Sequence, residues 1–227
     1  MRIDSHVASA VIDYVSGTAP VLMLEFDTQQ GVINAPRQVD ASRKAADRCW
    51  RQFPNLESRY GQRGHRFALS DGAWLVTLCG YESAQIRAQV RWLGHLLAVR
   101  GTPTLLLEVH PEMLLRELVA AISEKRQKCE KLLFAAAELH ASRHKYLSDQ
   151  RLRDFGSSFD RRAGAELNQE FPFSGRLLGA AVADEIAGDE KVVESLRTRM
   201  CNASKFTPEW IAAVDETVMQ ARRLARN

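Results

Sequence analysis

The amino-acid sequence predicts an all-α protein: a helical bundle with a short N-terminal β-hairpin or extended arm and a helical C-terminal subdomain. From Val39 onward apolar residues recur every three or four positions, the period of a helix. Capping residues, glycine and proline bound these segments. The composition, 45% hydrophobic and 26% charged, is that of an ordinary globular protein. We expect three parts: residues 1–38, 39–150 and 151–227.

The N-terminal part, residues 1–38, is predicted to hold one helix and one extended arm. An apolar stripe precedes Gly17 and consists of Val7, Val11, Ile12 and Val15. Two apolar runs, PVLMLEFD and GVIN, then follow around TQQ and indicate a hairpin. Because an isolated hairpin is marginal in water, residues 18–36 are expected to pair within the chain or with another subunit.

The core part, residues 39–150, is predicted to be helical because its apolar stripes fall between clear boundaries. A first helix, DASRKAADRCWRQF, is expected to close before Pro54, and a Ser70 or Asp71 cap is expected to begin the next one. Ser83 is expected to cap a third helix, with Gly101 as its left-handed terminator.

Pro111 is expected to disturb the helix that Thr102-Pro103 opens. A proline inside a helix removes one hydrogen bond and crowds the preceding turn, so the chain is expected to kink or to end one helix at His110. A long helix of about 35 residues is predicted after it. Its apolar stripe thins near residues 124–128, where a break is expected.

The C-terminal part, residues 151–227, is predicted to be a subdomain of shorter helices. The chain looks loop-rich after Arg153, whereas Thr207-Pro208-Glu209 supplies a cap, a first-turn proline and an early acid for a last helix. Gly175 and Gly179 are separated by four positions, and their small size is expected to let two helices approach closely.

Charge and hydropathy exclude several functional classes. The net charge of +3 is spread among acidic residues, so no nucleic-acid partner is expected. No apolar run reaches membrane-spanning length, and the chain starts without a signal-peptide pattern, so no membrane partner and a cytoplasmic location are expected. No C-x-x-C spacing links the four cysteines, which are predicted to be buried free thiols: Cys49, Cys79, Cys129 and Cys201.

Acidic residues and histidine interrupt the apolar run around Pro111 and make it a candidate site. Glu108 precedes His110 by two positions, as Glu138 precedes His140. Two residues apart on a helix point about 200° apart, so neither pair forms the Glu-x-x-His motif of di-metal bundles. Glu108 and Glu112 share a face in a continuous helix, and either could act as a base.

Three histidines are candidate metal ligands: His110, His140 and His144. His140 and His144 are four residues apart, so their side chains lie on one helical face and could bind a metal ion or flank a haem. Arg143 between them also fits a half-exposed helix edge. His110 before Pro111 also fits a cap or an interior histidine.

An aromatic set lies on the best-defined helices and comprises Trp74, Trp92, Tyr60 and Phe67. It forms either part of the core or a pocket for a flat ligand between helices. The ligand-binding candidates are therefore Trp74, Trp92, His110 and Glu108.

Residues 55–120 contain a spaced set of glycine, leucine, aromatic, charged and proline residues. The set comprises Tyr60-Gly61, Arg63-Gly64, Asp71, Leu75, Leu78, Trp92, Leu97, Arg100-Gly101, Pro103, Leu107 and Leu114. This segment resembles the helical bundle modules that accompany cobalamin-binding domains in bacterial regulators. The light-sensing modules of that kind carry adjacent Glu and His that cap the corrin, whereas Val109 separates Glu108 from His110 here, and the chain contains no α/β cobalamin-binding domain. The resemblance implies a bacterial helical sensory or interaction module.

Two functional hypotheses follow. The chain lacks a G-x-S-x-G elbow, a P-loop and a dinucleotide turn, which favours a non-enzymatic sensory or regulatory module. Such a module acts by associating with a protein partner or with its own copies, or by sensing a ligand. The alternative is a haem- or metal-dependent protein, such as an oxidoreductase, with its site between helices. An enzyme with Glu108 or Glu112 as base stays open, since burial can raise the pKa of a carboxyl without a sequence signature.

Overall fold

A computed structural model describes residues 35–226, and these residues form ten α-helices and one short 3₁₀ helix, with no strand among them. The helices are α1 (Ala35–Gln52), α2 (Asn55–Leu78), α3 (Ser83–Val99), α4 (Leu105–Ala121), α5 (Arg126–His144), α6 (Asp149–Ala163), α7 (Ala165–Glu170), α8 (Ser174–Ala187), α9 (Val192–Met200) and α10 (Pro208–Ala225). The all-α prediction is confirmed for this part of the chain. The predicted N-terminal helix and hairpin arm lie outside the described residues.

The helices pack around one hydrophobic core. Helix α4 packs against α5, which also contacts α3 and α8. Helix α8 packs in turn against α6, α9 and α10. Contacts of α5 with α8 and of α3 with α9 thus join the predicted core, residues 39–150, to the predicted C-terminal subdomain, residues 151–227. The largest fully buried side chains belong to both parts and include Trp210, Phe159, Leu75, Ile86 and Leu114.

Helix α2 is longer than the sequence predicts. Pro54 separates it from α1 as expected, but the helix then runs past Ser70 and Asp71, so a cap at either residue is a wrong prediction. Gly61 interrupts it with φ 56° and ψ −160°, a conformation that only glycine adopts without strain. The residues before this break therefore point in a different direction from the rest of the helix.

Two predicted boundaries are confirmed, and a third is displaced by one residue. Helix α3 begins at Ser83, but Glu82 and not Ser83 is its N-cap residue, and the Gln85 side chain accepts a hydrogen bond from the Glu82 backbone N–H at 3.3 Å. Gly101 follows this helix with φ 74°. Thr207 caps α10, since its hydroxyl accepts a hydrogen bond from the Trp210 N–H at 3.3 Å.

Pro111 does not end the helix that contains it. Helix α4 continues through it from Leu105 to Ala121, so of the two expected alternatives, a kink or a helix end at His110, the helix end is wrong. Leu107, His110 and Leu114 around the proline are all buried, and their packing offsets the lost hydrogen bond. The expected break further on is confirmed, because a 3₁₀ turn at Ser123–Lys125 separates α4 from α5.

The segment after Arg153 is helical, not loop-rich. Ser148 caps α6 by accepting a hydrogen bond from the Arg151 N–H at 3.3 Å. Phe155 and Phe159 on this helix are buried, and this tertiary burial outweighs a local sequence rich in polar residues.

The close approach at Gly175 and Gly179 is confirmed. A Cβ on Gly175 would lie 2.5 Å from the Phe155 carbonyl oxygen, and one on Gly179 would lie 2.7 Å from Phe155 Cδ2. Only glycine at these positions lets α8 pack this closely on α6.

Candidate functional site

A cleft of about 200 Å³ opens between the start of α2, the α3–α4 loop and the C-terminal helices. Its described walls carry three basic residues, Arg59, Arg199 and Lys205, and no carboxylate. The remaining wall is largely apolar and aromatic and includes Leu56, Leu106, Leu177, Phe171, Phe206 and Trp210. The lining therefore combines basic side chains with aromatic ones, and we refer to this site as the cationic cleft.

Arg59 is the central cation of the cleft, and its hydrogen bonding is incomplete. Nη2 donates to the Arg100 carbonyl oxygen at 2.6 Å and to Ser195 Oγ at 3.0 Å. Nε and Nη1 are buried and have no hydrogen-bond partner. Burial lowers the pKa of Arg59 to about 10; the nearby Tyr60 opposes this shift and the positive charge of Arg199 adds to it. Arg59 therefore remains a cation at neutral pH, with two free donors.

Gly101 makes room for the Arg59 guanidinium. A Cβ on this residue would lie 2.2 Å from Arg59 Nη2 and 2.7 Å from Ser195 Oγ. The positive φ of 74° at Gly101 also disfavours any side chain. The residue that ends α3 thus also allows Arg59 to reach the Arg100 carbonyl.

Tyr60 and Arg199 hold the polar side of the cleft together. The Tyr60 hydroxyl makes a short hydrogen bond with the Thr102 hydroxyl and donates to the Arg100 carbonyl oxygen at 3.2 Å. The Arg199 guanidinium donates to the Arg59 carbonyl oxygen at 3.0 Å and lies 5.8 Å from the centre of the Tyr60 ring. Arg199 and Lys205 are exposed, so the cleft is open to solvent beside them.

The aromatic residues of the cleft pack against one another. The Phe206 and Trp210 rings are stacked with centroids 5.1 Å apart and planes 12° apart. Phe171 packs edge-on against Trp210 at 5.8 Å. Trp210 is fully buried and donates from Nε1 to the Met200 carbonyl oxygen at 3.0 Å. These packed rings form the aromatic part of the cleft lining.

A second polar cluster lies where α4, α5 and α6 meet, and it contains the predicted candidate Glu108. Arg143 donates from Nε and Nη2 to the two Glu108 carboxylate oxygens at 2.8 and 2.9 Å. Nη2 also donates to Asp149 Oδ1 at 2.6 Å, and Nη1 to the Leu147 carbonyl oxygen at 3.0 Å. The Arg143 side chain is 1% exposed and that of Glu108 6%. Glu108 therefore neutralises a buried arginine and is not free to act as a base.

Two predicted metal candidates lie beside this cluster. The His140 and His144 rings are 5.4 Å apart, and His140 Nε2 lies 2.9 Å from Asp149 Oδ2. Burial raises the pKa of Asp149, but the hydrogen bonds from His140 and Arg143 outweigh this effect and hold it at about 2. His140, His144 and Asp149 can bring their ligand atoms within 4.8 Å of one another.

His110, the third metal candidate, lies elsewhere, on the side of α4 that faces α1 and α2. A Cβ on Gly72 would lie 3.5 Å from its Nε2. Burial lowers the pKa of His110 to about 4, so it is neutral at physiological pH. Glu112 is exposed on the same helix. The structure does not bring His110 together with His140 and His144.

The predicted tryptophans contact each other outside the cationic cleft. Trp74 and Trp92 meet edge to face with centroids 6.1 Å apart, and Trp92 is 37% exposed. Of the aromatic set, only Tyr60 lines the cleft. The aromatic residues of the cleft lining besides Tyr60 are Phe171, Phe206 and Trp210, which were not singled out from the sequence.

Sequence reasoning missed Arg59, Arg199 and Lys205 because they are three among 31 basic residues. Arg59 and Ser195 are 136 positions apart, and no local pattern relates them. The available signal was the pair of glycines: Gly61 directly follows the Arg59-Tyr60 pair, and Gly101 directly follows the carbonyl to which both side chains bond.

No protein family matches this chain, and no curated protein or solved structure is significantly similar to it. The resemblance to modules that accompany cobalamin-binding domains therefore stays a prediction. Among residues 35–226, no helix is both long enough and apolar enough to cross a membrane.

Proposed function

We propose that this protein is a sensory or regulatory module that binds a small organic anion in the cationic cleft. The observation that carries the proposal is Arg59: a largely buried guanidinium with two unpartnered donors, in a cleft whose described walls hold no carboxylate.

A bound anion would give Arg59 the opposite charge and the hydrogen-bond acceptors that it lacks. A buried charge without a partner is costly, and so is a buried donor without an acceptor. A carboxylate or phosphate can accept two parallel hydrogen bonds from one guanidinium. Binding would therefore supply the missing charge and, once the guanidinium turns toward the cleft, acceptors for the buried Nε and Nη1. Arg199 and Lys205 at the open side add attraction for the same charge.

The cleft also restricts the rest of the ligand. Its volume of about 200 Å³ is smaller than the roughly 300–1,000 Å³ of pockets for drug-sized molecules. Phe206, which stacks on the fully buried Trp210, offers an apolar surface in the same cleft. The ligand class that fits is a compact molecule with a carboxylate or phosphate head and a flat apolar body.

Binding can act as a signal because the cations come from different parts of the chain. Arg59 lies on α2, Arg199 on α9 and Lys205 in the loop before α10. Arg199 opposes the charge of Arg59, as its effect on the pKa of Arg59 shows. An anion between them replaces repulsion by attraction and favours the arrangement in which α2 and α9 are close.

Association with a partner or a second copy is the output that we propose for this sensor. Phe134 on α5 and Met219 on α10 are large apolar side chains, 66% and 64% exposed, and suit such a contact. Size-exclusion chromatography with light scattering measures the mass of the assembly with and without benzoate. A benzoate concentration of about 5–10 mM exceeds the expected Kd.

Calorimetric titration with sodium benzoate and with phenyl phosphate tests the proposed binding. We expect a Kd of about 1 mM or lower for at least one of these probes. The Arg59→Gln variant should weaken binding at least about tenfold, since it removes the charge and two donors. Arg66→Gln is the matched control, because Arg66 is an exposed arginine on the same helix.

The proposal fails if neither probe binds, or if Arg59→Gln binds the better probe as tightly as the unmodified protein. Equal weakening in Arg59→Gln and Arg66→Gln would indicate attraction by net charge alone and would also contradict it. A competition series with sodium phosphate distinguishes a requirement for the anionic head from a requirement for the ring.

A further inference from the structure

The cluster at the α5–α6 corner carries a second inference, which does not depend on the cationic cleft. We propose that His140, His144 and Asp149 form a binding site for a divalent transition-metal ion, best suited to Zn²⁺, with water in the remaining coordination position.

The ligand set has the right chemistry and nearly the right spacing. Imidazole nitrogens and a carboxylate oxygen are the donors of zinc sites that keep one position open. His140 and His144 are one helical turn apart on α5, and Asp149 is the first residue of α6. Their ligand atoms lie within 4.8 Å of one another, against about 3.4 Å in a tetrahedral zinc site with bonds near 2 Å. Metal binding therefore requires the exposed His144 side chain to rotate toward His140 and Asp149.

Asp149 is already held in place by residues behind it. Arg143 donates to Asp149 Oδ1 at 2.6 Å, and Asp149 Oδ2 lies 2.9 Å from His140 Nε2. A metal ion bound by Oδ2 and Nε2 would take the place of the proton that these two atoms share, and that proton would be released to water. Arg143 is in turn fixed by the buried carboxylate of Glu108. Hydrogen bonds of this kind behind a ligating carboxylate orient it and support metal affinity.

The local charge also favours a cation. The positive charge of Arg143 is balanced by the negative charge of Glu108, and the two side chains form a bidentate ion pair. With neutral imidazoles, the negative charge of Asp149 remains for the metal ion. Since both histidines and Asp149 are partly exposed, an ion can enter from solvent, and water can complete its coordination.

The other histidines among residues 35–226 do not form such a set. His65 lies 2.8 Å from Asp47 and packs edge-on against the Trp50 ring, and His95 is hydrogen-bonded to Asp189. No other group of three histidine, cysteine or acidic side chains with suitable spacing occurs among the described residues. His65 is therefore a matched control: a histidine with one carboxylate and no second imidazole.

A metal ion at this corner would connect the end of α5 to the start of α6. Because the ion binds the folded arrangement, it stabilises the protein by an amount that grows with metal concentration above Kd. The measurable effects are a metal-dependent rise of Tm and a saturable binding isotherm.

The test uses untagged full-length protein treated with a chelator and then titrated with ZnCl₂. Calorimetry should give one site with a Kd of about 10 μM or lower, and scanning fluorimetry a Tm that rises with Zn²⁺. His144→Gln should lower affinity at least about tenfold, whereas His65→Gln should bind as the unmodified protein does. The exposed His144 side chain contacts the His140 ring and makes no hydrogen bond among the described residues. The His144→Gln variant should therefore fold normally.

Cobalt supplies a second readout, because Co²⁺ bound by nitrogen and oxygen ligands in a tetrahedral site gives intense visible absorption that His144→Gln should lose. A Cys201→Ser variant excludes the partly exposed thiol as ligand and should retain binding. The proposal is wrong if the unmodified protein binds Zn²⁺ no more tightly than His144→Gln, or if His65→Gln or Cys201→Ser loses the site instead.

Discussion

Two buried arginines in this protein have opposite surroundings. Arg143 bonds to Glu108 and Asp149 and to the Leu147 carbonyl, so its charge is balanced. Arg59 bonds to a carbonyl and to Ser195, meets no carboxylate in the cleft, and keeps two donors free.

The difference separates a structural role from a binding role. A buried arginine needs a negative charge and hydrogen-bond acceptors. Where carboxylates of the same chain supply them, removing one carboxylate destabilises the fold. Where no carboxylate of the chain lies beside a buried arginine, a bound anion can supply the negative charge and the acceptors. The two positions should therefore respond differently to substitution, and four experiments test this comparison.

The largest effect is expected from Glu108→Gln. This change leaves the buried Arg143 with one partly exposed carboxylate and should destabilise the protein by about 3 kcal/mol, measured by urea denaturation. Glu138→Gln is the control: Glu138 pairs with Arg87 and Arg91 on the surface, and its loss should cost below about 1 kcal/mol. Equal losses in the two variants would remove the distinction between a buried and an exposed pair.

Asp184 extends the comparison to a buried acid that has hydrogen bonds but no cation. Thr104 donates to it from its backbone N–H at 2.8 Å and from its hydroxyl at 2.5 Å. Burial nevertheless raises the pKa of Asp184 to about 7. The folded protein therefore binds a proton that the unfolded chain, with a carboxyl pKa of about 4, releases, so stability falls as pH rises from about 4 to about 7.

Asp184→Asn should remove this dependence while keeping a hydrogen bond to Thr104. Between pH 5 and pH 8 the free energy of unfolding of the unmodified protein should fall by about 2–3 kcal/mol relative to that of the variant. Asp154→Asn, at an exposed position on α6, should follow the unmodified protein. A pH profile unchanged by Asp184→Asn would show that this carboxyl titrates normally.

Gly101→Ala tests whether the cleft depends on the space beside Arg59. The new Cβ would lie 2.2 Å from Arg59 Nη2 at a residue with φ 74°, so we expect a loss of about 2 kcal/mol in stability and weaker benzoate binding. At Gly80 the nearest atom to such a Cβ is 3.7 Å away, and Gly80→Ala should change stability by under about 0.5 kcal/mol. Unchanged benzoate affinity in Gly101→Ala would show that anion binding does not depend on the space beside Arg59.

The smallest change in stability is expected from Arg59→Gln. It loses hydrogen bonds to the Arg100 carbonyl and to Ser195, but it also removes an unpaired buried charge. These effects oppose each other, so the free energy of unfolding should change by below about 1 kcal/mol while anion binding is lost. A loss as large as that of Glu108→Gln would make Arg59 a structural residue.

The elements that sequence reasoning predicted are those with local signals. Gly101 ends α3, and Thr207 with Pro208 begins α10, because capping and proline geometry act within one helical turn. Pro111 and the polar segment after Arg153 misled the prediction. There, burial of Leu107, Leu114 and Phe155 overrides a local preference that costs only a few kcal/mol.

The candidate sites were predicted only in part, for the same reason. The pair His140 and His144 follows from helical spacing, and the structure adds Asp149 to it. Glu108 was singled out, but its partner Arg143 lies 35 positions away. The cationic cleft escaped detection because Arg59 lies more than a hundred positions from the other two cations and from the packed aromatic rings of the lining.

The sequence by itself determined the all-helical class from residue 39 onward, several helix ends and the two histidines on one face of α5, since period and capping are short-range properties. The tertiary structure alone decided which of the arginines meet carboxylates. Helix packing brings together side chains more than a hundred positions apart, and whether a charge is balanced depends on the neighbours that this packing supplies.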